Sequence, residues 1–125
     1  MSLRVRGVVQ RHLGRGRKLG FPTANIPLHK EVSDGTYLGF VKFNGDKFPA
    51  LVFVGAPETF EEIEKRVEAY MLDFDRDLYD QEIEVEFVQK LRDNIKFDSQ
   101  DELIAQMKDD ERRAREFFKT FGRTE

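Results

Sequence analysis

Cysteine is absent from this chain, so neither a disulfide nor a thiolate metal site can form. Tryptophan is missing too, and histidine occurs only at positions 12 and 29. Two histidines, both in loop-like surroundings, exclude a histidine-rich zinc site and leave no Ser-His-Asp grouping to propose; a bound metal would be held mainly by oxygen. No stretch approaches the roughly 18 apolar residues that a membrane span needs, and the N-terminus lacks the apolar core of a signal peptide. A soluble cytoplasmic protein without a membrane partner is expected. Excess positive charge is lacking as well: the net charge is −3 with 36% charged residues, which weighs against a general nucleic-acid binder. There are no internal repeats, low-complexity tracts or linkers, and 125 residues suffice for one core, so a single domain over 1–125 and a monomer are expected.

What the chain does contain is concentrated between Gly14 and Asn25, read as Gly-Arg-Gly-Arg-Lys-Leu-Gly-Phe-Pro-Thr-Ala-Asn. Glycine permits positive φ and lets backbone amides approach a ligand, and the cations Arg15, Arg17 and Lys18 neutralise phosphate. Thr23 and Asn25 add neutral oxygens of the kind a hard divalent cation accepts. The segment is suited to a metal-bound polyphosphate, and Arg11 extends its positive field. A Walker A loop is excluded because Leu19 rather than Ser or Thr follows Lys18, and a Gly-x-Gly-x-x-Gly loop fails because its third glycine would fall at Leu19.

Around this segment the sequence alternates. Leu3 to Val9 predicts a first strand and Thr23 to Ile26 a short one closed by Pro27. Gly35 to Phe43 and Phe48 to Val54 flank Asn44-Gly45, the signal of a type I′ hairpin, with Pro49 at an edge or bulge. An acidic stretch from Glu58 to Glu64 reads as a flap. Val67 to Phe74 and Glu82 to Leu91 read as two strands joined by a turn over Asp75 to Asp80, the second with Ile83, Val85 and Phe87 inward and Glu82, Glu84 and Glu86 facing water. Ser99 and Glu102 form a capping box, after which Leu103, Met107, Ala114, Phe118 and Phe121 keep one helical stripe until Gly122. Five or six short strands and one terminal helix predict a mainly β fold, a small antiparallel barrel with the helix packed on it.

The glycine-rich segment resembles the Gly-Arg-Gly-x-x-Leu-Gly-Phe-Pro-Thr-Ala-Asn signature of the riboflavin kinase family. Gly35-Thr36-Tyr37, Val67-Glu68-Ala69 with Leu72-Asp73-Phe74, and Leu91-Arg92 with Lys96-Phe97-Asp98-Ser99 resemble three further motifs of that family in the same order. The resemblance covers about residues 7 to 118. It implies a six-stranded Greek-key barrel with a C-terminal helix and the conversion of riboflavin and ATP to FMN and ADP. It also implies a divalent cation, Mg²⁺ or another such as Zn²⁺ or Mn²⁺. Carried over motif by motif, ATP contacts fall to Gly14, Gly16, Lys18, Gly20, Pro22, Thr23, Asn25 and Tyr79, and metal contacts to Thr23 and Asn25. Glu68 becomes the general base by this resemblance, whereas periodicity alone reads it more plainly as an exposed strand-start glutamate; it shares a face with Tyr70, Leu72 and Phe74, where a carboxylate needs a cleft to serve. Arg92, Ile95 and Phe97 become flavin contacts; without the resemblance, a surface Arg and a core Phe are the plainer readings.

The sequence departs from that pattern in places. The family usually has glycine near Arg11 and at Asp80, Asn-Ile-Gly where this chain has Phe53-Val54-Gly55, and one residue fewer than Ala56-Pro57-Glu58-Thr59-Phe60. Many bacterial relatives also carry an adenylyltransferase domain that makes FAD; with nothing here to form it, the expected product is FMN. The alternative function is a non-catalytic flavin- or nucleotide-binding regulatory module on the same barrel. Retention of Thr23, Asn25 and Glu68 together favours the enzyme, because a binder has no use for a base.

Overall fold

The computed structural model describes residues 3–10, 23–55, 65–74, 76 and 78–121. They form six strands, β1 Leu3–Val8, β2 Ala24–Pro27, β3 Gly35–Phe43, β4 Asp46–Gly55, β5 Arg66–Met71 and β6 Glu82–Arg92, followed by one helix, α1 Gln100–Thr120. All pairings are antiparallel, in the order β1-β6-β3-β4-β5-β2. The run β6-β3-β4-β5 is a Greek key, with the fourth strand returning beside the first. Beyond β1, the Gln10 amide donates to the Asn25 carbonyl at 2.8 Å, so the two ends of the sheet meet and the barrel nearly closes. The strands expected to be joined by a turn, β5 and β6, are not neighbours: β6 crosses to pair with β1 and β3. The turn after β5 therefore leads into a crossover, with β6 filling the gap between β1 and β3.

Alternation decides which side chains enter the barrel. Val5, Ile26, Val41, Val52, Val54, Val67, Ala69, Ile83 and Val85 point inward and are all buried. Asn44 and Gly45 take φ of 54° and 86°, the left-handed pair that a two-residue hairpin needs. Pro49 pairs with Phe40 at the end of β4 not covered by β5, and its carbonyl accepts the Leu72 amide at 3.0 Å. The outward face of β3, β4 and β5 is also apolar. Leu38, Leu51 and Tyr70 lie in register there, and together with Leu72 and Leu91 they receive Ala114, Phe117 and Phe118 of α1. β6 carries two register shifts against β3, and its Leu91 packs against this outer cluster. Thus the described residues form two cores, one inside the barrel and one beneath the helix.

The helix starts as expected, with Ser99 Oγ accepting from the Glu102 amide at 3.2 Å. The reciprocal bond goes to the amide of Asp98 rather than of Ser99. Gly122 and the acidic flap lie outside the described residues. Among the described residues, no helix is long and apolar enough to cross a membrane.

The glutamate row on β6 does not simply face water. Glu82 is exposed and Glu84 half-buried, but Glu86 is buried among Lys47, Arg4 and Lys42 at 3.4, 3.6 and 3.9 Å. The cause is the cation ring on β1, β3 and β4, whose long stems cover the carboxylate. Burial pushes the Glu86 carboxyl up, yet Lys47, Lys42 and Arg4 outweigh it and hold the group below its ordinary 4.5. A carboxyl depressed in the folded state lends stability above its unfolded pKa and loses it as pH falls through the folded one. Melting temperature should therefore drop as pH falls below about 4.5, and E86Q should flatten that acid limb. An unchanged limb in the variant would show that Glu86 does not carry it.

Candidate active site

One row of the sheet gathers the site. Arg92, Thr36, Phe53, Glu68 and Asn25 are successive partners across β6, β3, β4, β5 and β2, and they share the outward face of the barrel. This row lies one pleat along from the Leu38-Leu51-Tyr70 row that seats the C-terminal half of the helix. Over it, the segment Asp93 to Phe97 and the first turns of α1 form a partial roof, leaving a half-open cavity of about 220 Å³. Phe53, Ile95, Phe97, Leu103 and Met107 make its apolar wall, while Thr23, Thr36, Glu68, Arg92 and Asn94 are its polar members.

Glu68 is half-buried and lines this cavity. Thr23 Oγ1 donates to Glu68 Oε1 at 3.1 Å. Asn25 Nδ2 in turn lies 3.3 Å from the Thr23 carbonyl and 3.4 Å from its hydroxyl. Thr23 and Asn25 are both buried. The Asn25-Thr23-Glu68 chain therefore fixes the carboxylate at the point where the glycine-rich segment enters β2. Gly14, Gly16, Lys18, Gly20 and Pro22 lie outside the described residues. Among the described residues, no three His, Cys, Asp or Glu side chains cluster as a metal cage. The donor set of Thr23, Asn25 and Glu68 suits a hard cation that keeps much of its shell from phosphate and water.

The expected flavin contacts come together here, in different ways. Phe97 lines the cavity, and Ile95 sits at its rim with half its surface exposed. Arg92 also lines the cavity, but its guanidinium is committed: Nε and Nη2 reach Asp110 at 2.9 and 2.6 Å, and Nη1 donates to the Asp93 carbonyl at 3.1 Å. Asp110 is fully buried and also accepts from Gln106 at 2.9 Å. Sequence reasoning missed Asp110, although its place on the apolar stripe between Met107 and Ala114 was the signal. Asn94, equally missed, donates to the Val54 carbonyl at 3.1 Å and ties the roof to β4.

Tyr79 is not among the cavity residues. It packs against the inner core, on a turn tied by an Asp80 amide bond of 2.9 Å to the Val9 carbonyl. That anchors it just ahead of the glycine-rich segment. His29 is exposed and not among the cavity residues, and His12 lies outside the described residues. Below the site, Tyr70 donates to Glu111 at 3.2 Å, and Arg115 bridges Glu111 and Asp73 at 2.9 and 3.0 Å. Burial, and then the Glu111 carboxylate, push the Tyr70 phenol up; the Arg115 guanidinium holds the Asp73 carboxyl low. These contacts fasten helix to barrel.

Comparison with known proteins agrees with this architecture. The family described as Flavokinase, riboflavin kinase, matches residues 1–118. The bifunctional riboflavin kinase/FMN adenylyltransferase of Escherichia coli K12 is 42% identical over 106 residues, which cover 82% of this chain and 34% of that protein. Among solved structures, a macrolide-efflux protein from Streptococcus pneumoniae superposes with a TM-score of 0.80 at 38% identity, covering 90% of this chain and 38% of that one. The riboflavin kinase of Trypanosoma brucei superposes with a TM-score of 0.65 at 26% identity, covering 96% and 82%. The chain spans about a third of the E. coli relative's length. With a family match across nearly its whole length, the fold and four ordered motifs in agreement, the chain belongs to the riboflavin kinase family.

Proposed function

We propose that this chain transfers the γ-phosphoryl group of ATP to the 5′-hydroxyl of riboflavin, giving FMN and ADP. The observation that carries this reading is the 3.1 Å bond between Thr23 and Glu68, which joins the end of the phosphate-type segment to a carboxylate on the wall of an apolar cavity. Phosphoryl transfer to an alcohol requires a triphosphate held still, a hydroxyl placed in line and a base for its proton. The segment from Gly14 to Asn25 holds the triphosphate, with Lys18 and its neighbouring arginines balancing charge. Phe53, Phe97 and Ile95 sandwich a flat ring, which presents the attached hydroxyl to Glu68. Glu68, held in place by the Thr23 hydroxyl, takes that proton. A divalent cation, when bound, would spread charge over the phosphates, with Thr23 and Asn25 as its protein contacts. A regulatory binder on the same barrel would leave this carboxylate without a task.

Titration calorimetry tests the phosphate half. T23A and N25A should each weaken Mg²⁺–ATP binding by about tenfold, since each removes a side-chain oxygen from the ion's surroundings, and each should also lower the melting temperature through the loss of its buried hydrogen bonds. Unchanged affinity in both variants would remove this segment from nucleotide binding.

A further inference from the structure

Thr36 has no role so far, yet it is the buried polar group of the site row whose partner is missing. Its side chain is fully buried, and Oγ1 has no hydrogen-bond partner among the described residues. Such a hydroxyl makes the free protein less stable than valine would, which has the same shape and no polar atom to desolvate. Its direction is settled by alternation. Tyr37 turns into the barrel, where its ring meets Phe87 edge-on at 5.0 Å, so Thr36 faces the opposite side, on the cavity wall between Arg92 and Phe53.

The neighbouring polar groups are occupied. The Arg92 guanidinium forks onto Asp110, and the Asn94 amide nitrogen is spent on the Val54 carbonyl. Thr36 thus leaves an unmet hydrogen bond at the end of the cavity away from Glu68. Two strand steps separate the two residues, roughly 10 Å at the usual strand spacing. A ligand whose reacting hydroxyl sits at Glu68 and whose body lies on Phe53 extends toward Thr36.

We infer that the Thr36 hydroxyl hydrogen-bonds bound riboflavin at a point remote from the reacting hydroxyl, and so acts as a specificity residue for the flavin. This rests on the reading of the cavity as the riboflavin site. The bond is absent in the free protein and made only with ligand, so its energy appears in substrate affinity. It contributes nothing to the reacting atoms.

Riboflavin binding to the wild type, T36V and T36S, followed by quenching of flavin fluorescence, tests this together with thermal melts and steady-state rates. T36V should bind riboflavin about three- to tenfold more weakly, with kcat within twofold of wild type and an unliganded melting temperature equal or higher. T36S, which keeps the hydroxyl, should bind within about twofold of wild type. Equal riboflavin affinity in T36V and wild type would overturn the inference. So would a lower melting temperature or failure to fold in T36V, which would mean the hydroxyl is already partnered, or a loss in T36S as large as in T36V, which would assign the effect to methyl packing. A wild type that binds no riboflavin would instead overturn the functional reading itself.

Discussion

Replacing Glu68 with glutamine should reduce the rate of FMN formation by about 10²–10⁴-fold while leaving Mg²⁺–ATP affinity within a few-fold of wild type. The amide keeps the volume of the carboxyl and still meets the Thr23 hydroxyl, so packing on β5 is preserved. What it loses is the ability to accept the proton of the attacking hydroxyl. Steady-state kinetics with parallel calorimetry separates the two effects, because a base acts on kcat and a binding group on affinity. A kcat close to wild type in E68Q would take Glu68 out of the mechanism.

The second large effect is expected at a residue that touches no reacting atom. Asp110 is fully buried, and its two oxygens receive both arms of the Arg92 fork, itself with little exposure, plus the Gln106 amide. D110A leaves the guanidinium without its anion, and breaking one side of a buried pair typically costs about 3–5 kcal/mol. Urea unfolding should register a loss of that order, and the cavity roof hinged at Arg92 should loosen with it. The double variant R92M/D110L should recover much of the stability, since replacing both partners by apolar groups of similar volume is often close to neutral. Flavin affinity should not recover, as the roof would no longer be drawn to the helix. A D110A loss below about 1 kcal/mol would show that the pair is no structural tie.

Much of this fold was legible because the period-2 pattern and turn chemistry agree with each other. Asn44-Gly45 marks its hairpin, Ile83, Val85 and Phe87 mark an inward face, and Ser99 marks the helix start. Strand order was another matter. Nothing local tells β6 to leave β5 and pair with β1 and β3, because that choice is made by closure of the whole sheet. The double-faced apolarity of β5 was ambiguous for a related reason: Val67, Ala69 and Met71 face the barrel core, and Tyr70 faces a second core under the helix. A pattern alone does not show that both sides of a strand are covered.

The site was legible in part, through its motifs. Glu68, Thr23 and Asn25 are joined by hydrogen bonds, and Phe97 stands on the cavity wall. Asp110, Asn94 and Thr36 were not found, since each gains its meaning from a partner distant in sequence. The departures from the family pattern also acquire physical content. Asp80 adopts φ of 68°, in the left-handed region where glycine fits without cost and aspartate is tolerated. Phe53 takes a place on the cavity wall directly between Thr36 and Glu68, where it adds ring area in place of a polar amide.

The most direct measurement is the incubation of the purified chain with riboflavin, ATP and Mg²⁺, with chromatographic separation of flavins and nucleotides. Equal amounts of FMN and ADP should appear together, dependent on all three additions and on Glu68. ADP without FMN, or no turnover despite demonstrable binding of both riboflavin and ATP, would contradict the assignment of this barrel as a working riboflavin kinase.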